Sequence, residues 1–70
     1  MTIIKAGMAG MLWKILVREG DKVEAGQEVV IIESMKMEIP IEAEEAGTVK
    51  RILATEGDFI NFDDDLMEIE

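Results

Sequence analysis

Seventy residues with no cysteine, no histidine and a formal charge of −9 exclude a good deal before any pattern is read. A chain of this length makes one domain and buries only about 60% of the surface its unfolded form exposes, so a large interior pocket is not expected. Disulfides, thiolate chemistry and the usual zinc and general-base sites are ruled out, and an excess of 16 acidic over 7 basic side chains repels phosphate backbones and argues against a nucleic-acid partner.

Ile and Val are frequent, proline occurs once, and no segment sustains an i, i+3, i+4, i+7 apolar pattern, so the chain reads as strands and turns without a regular helix. In order, the predicted strands are Thr2–Ala6, Met11–Val17, Glu28–Glu33, Met37–Ala43, Thr48–Ala54 and Asp65–Glu70, with short extended pieces at Lys22–Val23 and Phe59–Ile60. Residues 11–17 alternate imperfectly, because Lys14 and Arg51 share parity with Leu12/Val49 and Leu16/Leu53; a bulge or a strand shared between two sheets would reconcile them. Glu19-Gly20-Asp21 and Glu56-Gly57-Asp58 each place a glycine where a reversal can use positive φ, and Gly10, Gly26 and Gly47 mark other bends.

Alternation is cleanest from residue 37. Met37, Ile39, Ile41 and Ala43 share one face and Glu38, Pro40, Glu42 and Glu44 the other; Pro40 donates no ladder hydrogen bond, which puts this strand at an edge or at a bulge. The pattern Met67/Ile69 against Glu68/Glu70 sets Val30 and Ile32 inward and leaves Val29 and Ile31 unassigned. Glu42, Glu44, Glu45 and Asp63-Asp64-Asp65 lack the ligand spacing and sharp-turn glycine of a calcium loop and read as solvated turns, so no metal site is expected. No run approaches the ~20 apolar residues of a membrane span and no basic segment precedes an apolar one at the start, so a soluble cytoplasmic protein is the expectation.

Sliding the sequence by 37 positions lays residues 1–33 over 38–70, and 11 of the 33 pairs are identical, among them Ile4/Ile41, Gly10/Gly47, Glu19/Glu56, Gly20/Gly57 and Asp21/Asp58. Neither half is large enough to bury its own apolar face, so the two should fold against each other as one domain over residues 1–70. The expected architecture is all-β: a flattened barrel or sandwich with pseudo-two-fold symmetry. Residues 34–37 alone have no copy, and there the strand ending at Glu33 and the one starting at Met37 would close a hairpin with Met35-Lys36 at its tip. The symmetry mate of that tip is the pair of chain ends, with Glu70 close to Met1.

A lysine at a hairpin tip is ordinarily a solubilising residue, but two methionines bracket this one. Exposing soft apolar side chains there costs hydrophobic free energy that an Asn-Gly turn would avoid. Met35 and Met37 are therefore either a surface for another protein to grip or part of the core. Glu33 and Glu38 flank the two methionines and the lysine; Glu33 has the repeat partner Glu70, which favours a role common to both halves, and Glu38 reads as a solvated face.

Glu33-Ser34-Met35-Lys36-Met37-Glu38 resembles the attachment motif of biotin carrier domains, and the whole chain is similar to the biotinyl/lipoyl attachment family, including Ala46-Gly47-Thr48-Val49 and Glu56-Gly57-Asp58. Its short length is similar to the free-standing attachment proteins. The resemblance implies a barrel-sandwich hybrid of two four-stranded antiparallel sheets, covalent biotin on Lys36, and recognition through Glu33, Ser34, Met35, Met37 and Glu38. It also implies a biotin protein ligase that activates the amine, then a biotin carboxylase and a carboxyltransferase served by the tethered cofactor, with no catalytic residue in the carrier itself. The chain departs from the family pattern at Ser34, where alanine or valine is common, in residues 6–10, which lack the usual prolines, and in having no inserted protruding loop. Lipoate on the same lysine through a lipoyl ligase is the nearest alternative, although lipoyl domains normally carry an acidic residue before the lysine. An unmodified interaction module is a third reading, whereas Schiff-base catalysis would need a desolvated amine.

Overall fold

Eight antiparallel strands, with no helix among the described residues, make up the computed structural model, which describes residues 2–70. They are β1 (Thr2–Lys5), β2 (Gly10–Ile15), β3 (Lys22–Val23), β4 (Glu28–Ser34), β5 (Met37–Glu42), β6 (Gly47–Ile52), β7 (Phe59–Ile60) and β8 (Asp65–Ile69). They form two four-stranded sheets: a terminal sheet in the order β1-β8-β6-β3 and a hairpin sheet in the order β5-β4-β2-β7. Shifting each strand of one order by 37 residues, forward for strands of the first half and back for those of the second, yields the other, so the repeat read from the sequence relates the two sheets. Each sheet draws strands from both halves, so neither half completes a sheet by itself.

Between the sheets lies a core built from symmetry mates. Leu12 and Val49, Val29 and Leu66, Val30 and Met67, and Ile32 and Ile69 are all buried. Val29, left unassigned by alternation, is fully buried because the register between β4 and β5 shifts between Glu28 and Val30, which lets two successive residues face inward; Ile31 is half-buried on the outer face. The parity conflict in β2 and β6 resolves as anticipated. Register shifts fall between Leu12 and Lys14 and between Val49 and Arg51, turning Trp13/Lys14 and Lys50/Arg51 outward. Both strands end earlier than alternation suggests, at Ile15 and Ile52, and begin one residue sooner.

That earlier start corrects the reading of Gly10 and Gly47 as bends. Both open strands, and a Cβ at either would lie 2.5 Å from its nearest neighbour, with a backbone oxygen in the way: Glu33 O at 2.5 Å from Gly10, Glu70 O at 2.7 Å from Gly47. The missing side chain here serves close approach of two strands. Pro40 lies on β5, an edge of the hairpin sheet, where its missing N–H leaves no ladder bond unmade. Glu70 exchanges both backbone hydrogen bonds with Thr48, while Met1, its expected neighbour, lies outside the described residues. The free edges β1 and β5 border an open surface groove of about 720 Å³, lined by neither Met35 nor Lys36.

The turns tie the halves together. Gly20 N donates to Val49 O and Gly57 N to Leu12 O, each at 2.7 Å, while Val49 N and Leu12 N donate back to Asp21 O and Asp58 O. Beside them the Glu19 carboxylate accepts from Ile52 N (3.1 Å) and the Glu56 carboxylate from Ile15 N (2.8 Å). Each Glu-Gly-Asp turn thus serves the strand of the other half, and its glycine supplies φ of +95° or +94°. Substituting Gly20 or Gly57 by valine is expected to cost roughly 1–3 kcal/mol at either site, read as a lowered thermal midpoint. Equal losses are expected because the two turns are equivalent; a valine variant that melts with the parent would contradict the turn assignment.

Candidate functional site

Ser34 pairs with Met37, so the loop joining β4 to β5 is two residues long, Met35 and Lys36. A two-residue hairpin loop matches the right-handed twist of its strands when both central residues take positive φ, the conformation for which Asn-Gly is the usual choice. Here φ is 52° at Met35 and 63° at Lys36. Neither residue favours the left-handed region, where the Cβ crowds the following carbonyl at a cost of about 1–2 kcal/mol per residue. The chain therefore makes its tightest hairpin from two residues poorly suited to it, at the four positions that have no repeat copy.

The consequence is exposure. Met35 is 92% exposed and Met37 63%, and Lys36 is exposed between them. The core-packing alternative for the two methionines is thereby removed: Met37 has inward parity, but the inward face of β5 is buried progressively, from Met37 through half-buried Ile39 and Ile41 to buried Ala43 beyond its end. Met37 stands past the end of the core. The ammonium of Lys36 is free as well, since the ion pair present among the described residues is Lys5–Asp65, at 3.4 Å.

Glu33 and Glu38 lie directly opposite one another across β4 and β5, one rung below the Ser34–Met37 pair. Like charges so placed repel, and the only positive group on the adjoining loop is Lys36. Ser34 and Glu33 are half-buried and Glu38 is exposed. The backbone of Glu33 does share its role with Glu70, as the carbonyls of both pack against the glycine that opens the neighbouring strand. The structure thus brings all six residues, 33–38, to one end of the hairpin sheet, around an amine with a flexible four-carbon stem in water. No cluster of His, Cys, Asp or Glu able to hold a metal occurs among the described residues. Such an amine can be acylated and can carry what it receives.

The sequence profile of the biotin/lipoyl family, described as "Biotin-requiring enzyme", matches residues 2–69. The chain belongs to the biotin/lipoyl family. It is 58% identical over 62 residues to a biotin/lipoyl attachment protein of Bacillus subtilis, covering 89% of this chain and 85% of that one. To a biotin carboxyl carrier protein of Streptococcus mutans it is 44% identical over 64 residues, 91% of this chain and 49% of that one. Among solved structures, the Kluyveromyces lactis urea carboxylase contains a region that matches with a TM-score of 0.92 and 36% identity, covering 99% of this chain and 6% of the carboxylase. Relatives of carboxylase size are therefore spanned only in small part.

Because alanine adopts the turn no more comfortably than lysine does, Lys36→Ala is expected to leave the thermal midpoint nearly unchanged. Met35→Asn combined with Lys36→Gly supplies the residues the turn prefers and should stabilise the protein by about 1–2 kcal/mol or more, several degrees in a domain of this size. Thermal unfolding followed by circular dichroism checks both; a loss of stability in the Asn-Gly variant would contradict the strain argument.

Proposed function

We propose that this chain is a biotin carrier whose attachment point is the amine of Lys36. A single observation carries the reading: the one segment outside the duplication folds into a strained two-residue turn that lifts a lysine and two methionines into solvent. Membership of the biotin/lipoyl family supports covalent biotin. The relatives named attachment and carrier proteins support a role without catalysis of its own.

In this reading a biotin protein ligase first activates the cofactor carboxyl as its adenylate. The deprotonated Nζ of Lys36 attacks the acyl carbon, an amide bond forms, AMP leaves, and one positive charge is removed from the protein. In this reading the base that takes the proton comes from the ligase. The residues of the carrier hold and orient: the tight turn fixes the root of the arm, and Met35 and Met37 offer soft contact area beside it. A tethered cofactor then reaches a biotin carboxylase and a carboxyltransferase at high effective concentration, provided the arm spans both sites. Carboxylases among the relatives, human mitochondrial propionyl-CoA carboxylase and Bacillus subtilis pyruvate carboxylase, support those partners.

Lipoate on the same lysine is the second reading. It is favoured by one observation, the name biotin/lipoyl attachment protein borne by the Bacillus subtilis relative. Labelling the purified chain with a biotin ligase plus biotin and ATP, and in parallel with a lipoate ligase plus lipoate and ATP, separates the two. Streptavidin binding is expected in the first reaction and is expected to vanish in Lys36→Ala, with Lys5, Lys14, Lys22 and Lys50 intact. Streptavidin binding that persists in that variant would overturn the assignment, and labelling by the lipoate ligase alone would move it to lipoate.

A further inference from the structure

The duplication provides an internal control for the surface. A surface feature present in one half and absent from its mate is one that the fold does not require. Leu16 and Leu53 are symmetry mates, both partly exposed, and so reflect the architecture. The outer faces of the two sheets differ sharply. On the hairpin sheet, Met11 lies opposite Phe59 across β2 and β7, Trp13 bulges outward next along β2, and Ile31 lies opposite Lys14. Their mates on the terminal sheet are Thr48, Lys22, Lys50 and Glu68.

Four apolar positions in the sheet that carries the lysine are thus four polar or charged positions in its twin. Phe59 is 66% exposed, Met11 38% and Trp13 37%. Trp13 has Lys14 over its ring at 5.0 Å and is still partly open to solvent. Scattered exposed apolar residues need no explanation, but a patch with a tryptophan, a phenylalanine and a methionine on adjacent strands marks a contact surface.

We propose that this outer face of the hairpin sheet is the docking surface for the protein that acylates Lys36, and that the docking side of that protein is apolar with a basic border. The inference rests on the reading of Lys36 as the attachment point. Two observations select this occupant. The patch is continuous with the tip, since Met11 pairs with Glu33, two residues before the turn, so a protein closing on the bare amine covers it. A bare lysine reaches only the length of its own stem, which forces its modifying enzyme into contact with the flanking face; a cofactor-lengthened arm imposes no such contact. The charge is complementary too: Glu33 and Glu38 border the patch on the side of β5, while Lys22, Lys50 and Arg51 lie on the opposite sheet. Lys14 lies within the patch over Trp13, so the acidic border is the Glu33–Glu38 side nearest the tip, and it selects for basic groups there and speeds encounter.

Symmetry also supplies the test, because the twin sheet already carries residues that the fold accepts at these positions. Met11→Thr, Trp13→Lys and Phe59→Lys are combined, with Phe59→Lys alone as a second variant at the most exposed position; Lys22→Ala with Lys50→Ala probes the other sheet. The probe is a purified biotin protein ligase with biotin and ATP, assayed against the whole chain, with melting temperature confirming the fold and sedimentation reporting oligomeric state. The triple variant is expected to raise KM about tenfold or more with kcat within about twofold, and Phe59→Lys to raise it less. The variant of the other sheet should leave kcat/KM within about twofold, and KM for the parent should rise with salt.

Unchanged kcat/KM in folded triple and single variants, with the parent fully labelled, would overturn the docking surface and leave the attachment point standing. A parent that sediments as a dimer and a triple variant that is monomeric would assign the patch to a second copy of the chain and overturn the proposal equally. Failure of the parent to be labelled would overturn the attachment reading and, with it, this inference.

Discussion

Everything in this fold depends on an exchange between its halves. The Glu-Gly-Asp turn of the first half closes on β6, and that of the second half closes on β2. Backbone bonds from Gly20 and Gly57 and carboxylate contacts from Glu19 and Glu56 cross the pseudo-two-fold axis in equivalent pairs. A chain of 70 residues has little core with which to resist opening. Interlocking distributes what core there is, so that Leu12, Ile32, Val49 and Ile69 are buried only when both halves are in place. The result is a frame whose strand ends are fixed from both sides.

Against that frame the joint at residues 34–37 stands out as a conflict between local preference and imposed geometry. Two sheet strands fixed by the frame leave room for a two-residue connection, and twist demands left-handed backbone at both positions. Met35 and Lys36 occupy it regardless of their preference. Local strain held in place by a well-determined surrounding is a pattern of functional sites, and here the strained residues are also the exposed ones. The same frame makes the contrast between the outer faces legible, since the terminal sheet carries Thr48, Lys22, Lys50 and Glu68 where the hairpin sheet carries Met11, Phe59, Trp13 and Ile31.

Much of this was open to sequence reasoning because duplication doubles every signal. Six strands follow from alternation and from agreement between copies, the short pieces at Lys22–Val23 and Phe59–Ile60 make up the eight, and the parity conflict of Lys14 and Arg51, open to a bulge or a shared strand in the sequence, is a register shift in both copies. Boundaries were less legible: Leu16 and Val17 continue an apolar run past the end of β2, and no residue there announces where the ladder stops, since Leu16 N still bonds Val29 O. Gly10 and Gly47 looked like bends because a glycine needed for close approach leaves the same mark as one needed for a turn. The crossed carboxylates of Glu19 and Glu56 were visible only as a repeated acidic turn; their partners lie 33 and 41 residues away. At the tip, the motif and the lysine were readable, and the left-handed backbone was not, because its side chains argue against it.

The central claim is that one lysine of five is set apart by architecture. Peptide mass mapping of the chain isolated from its own cells tests this most directly. The account predicts a single acyl addition, on the peptide containing Lys36, with Lys5, Lys14, Lys22 and Lys50 unmodified. An addition on any of those four, or none under cofactor-replete growth, would contradict it.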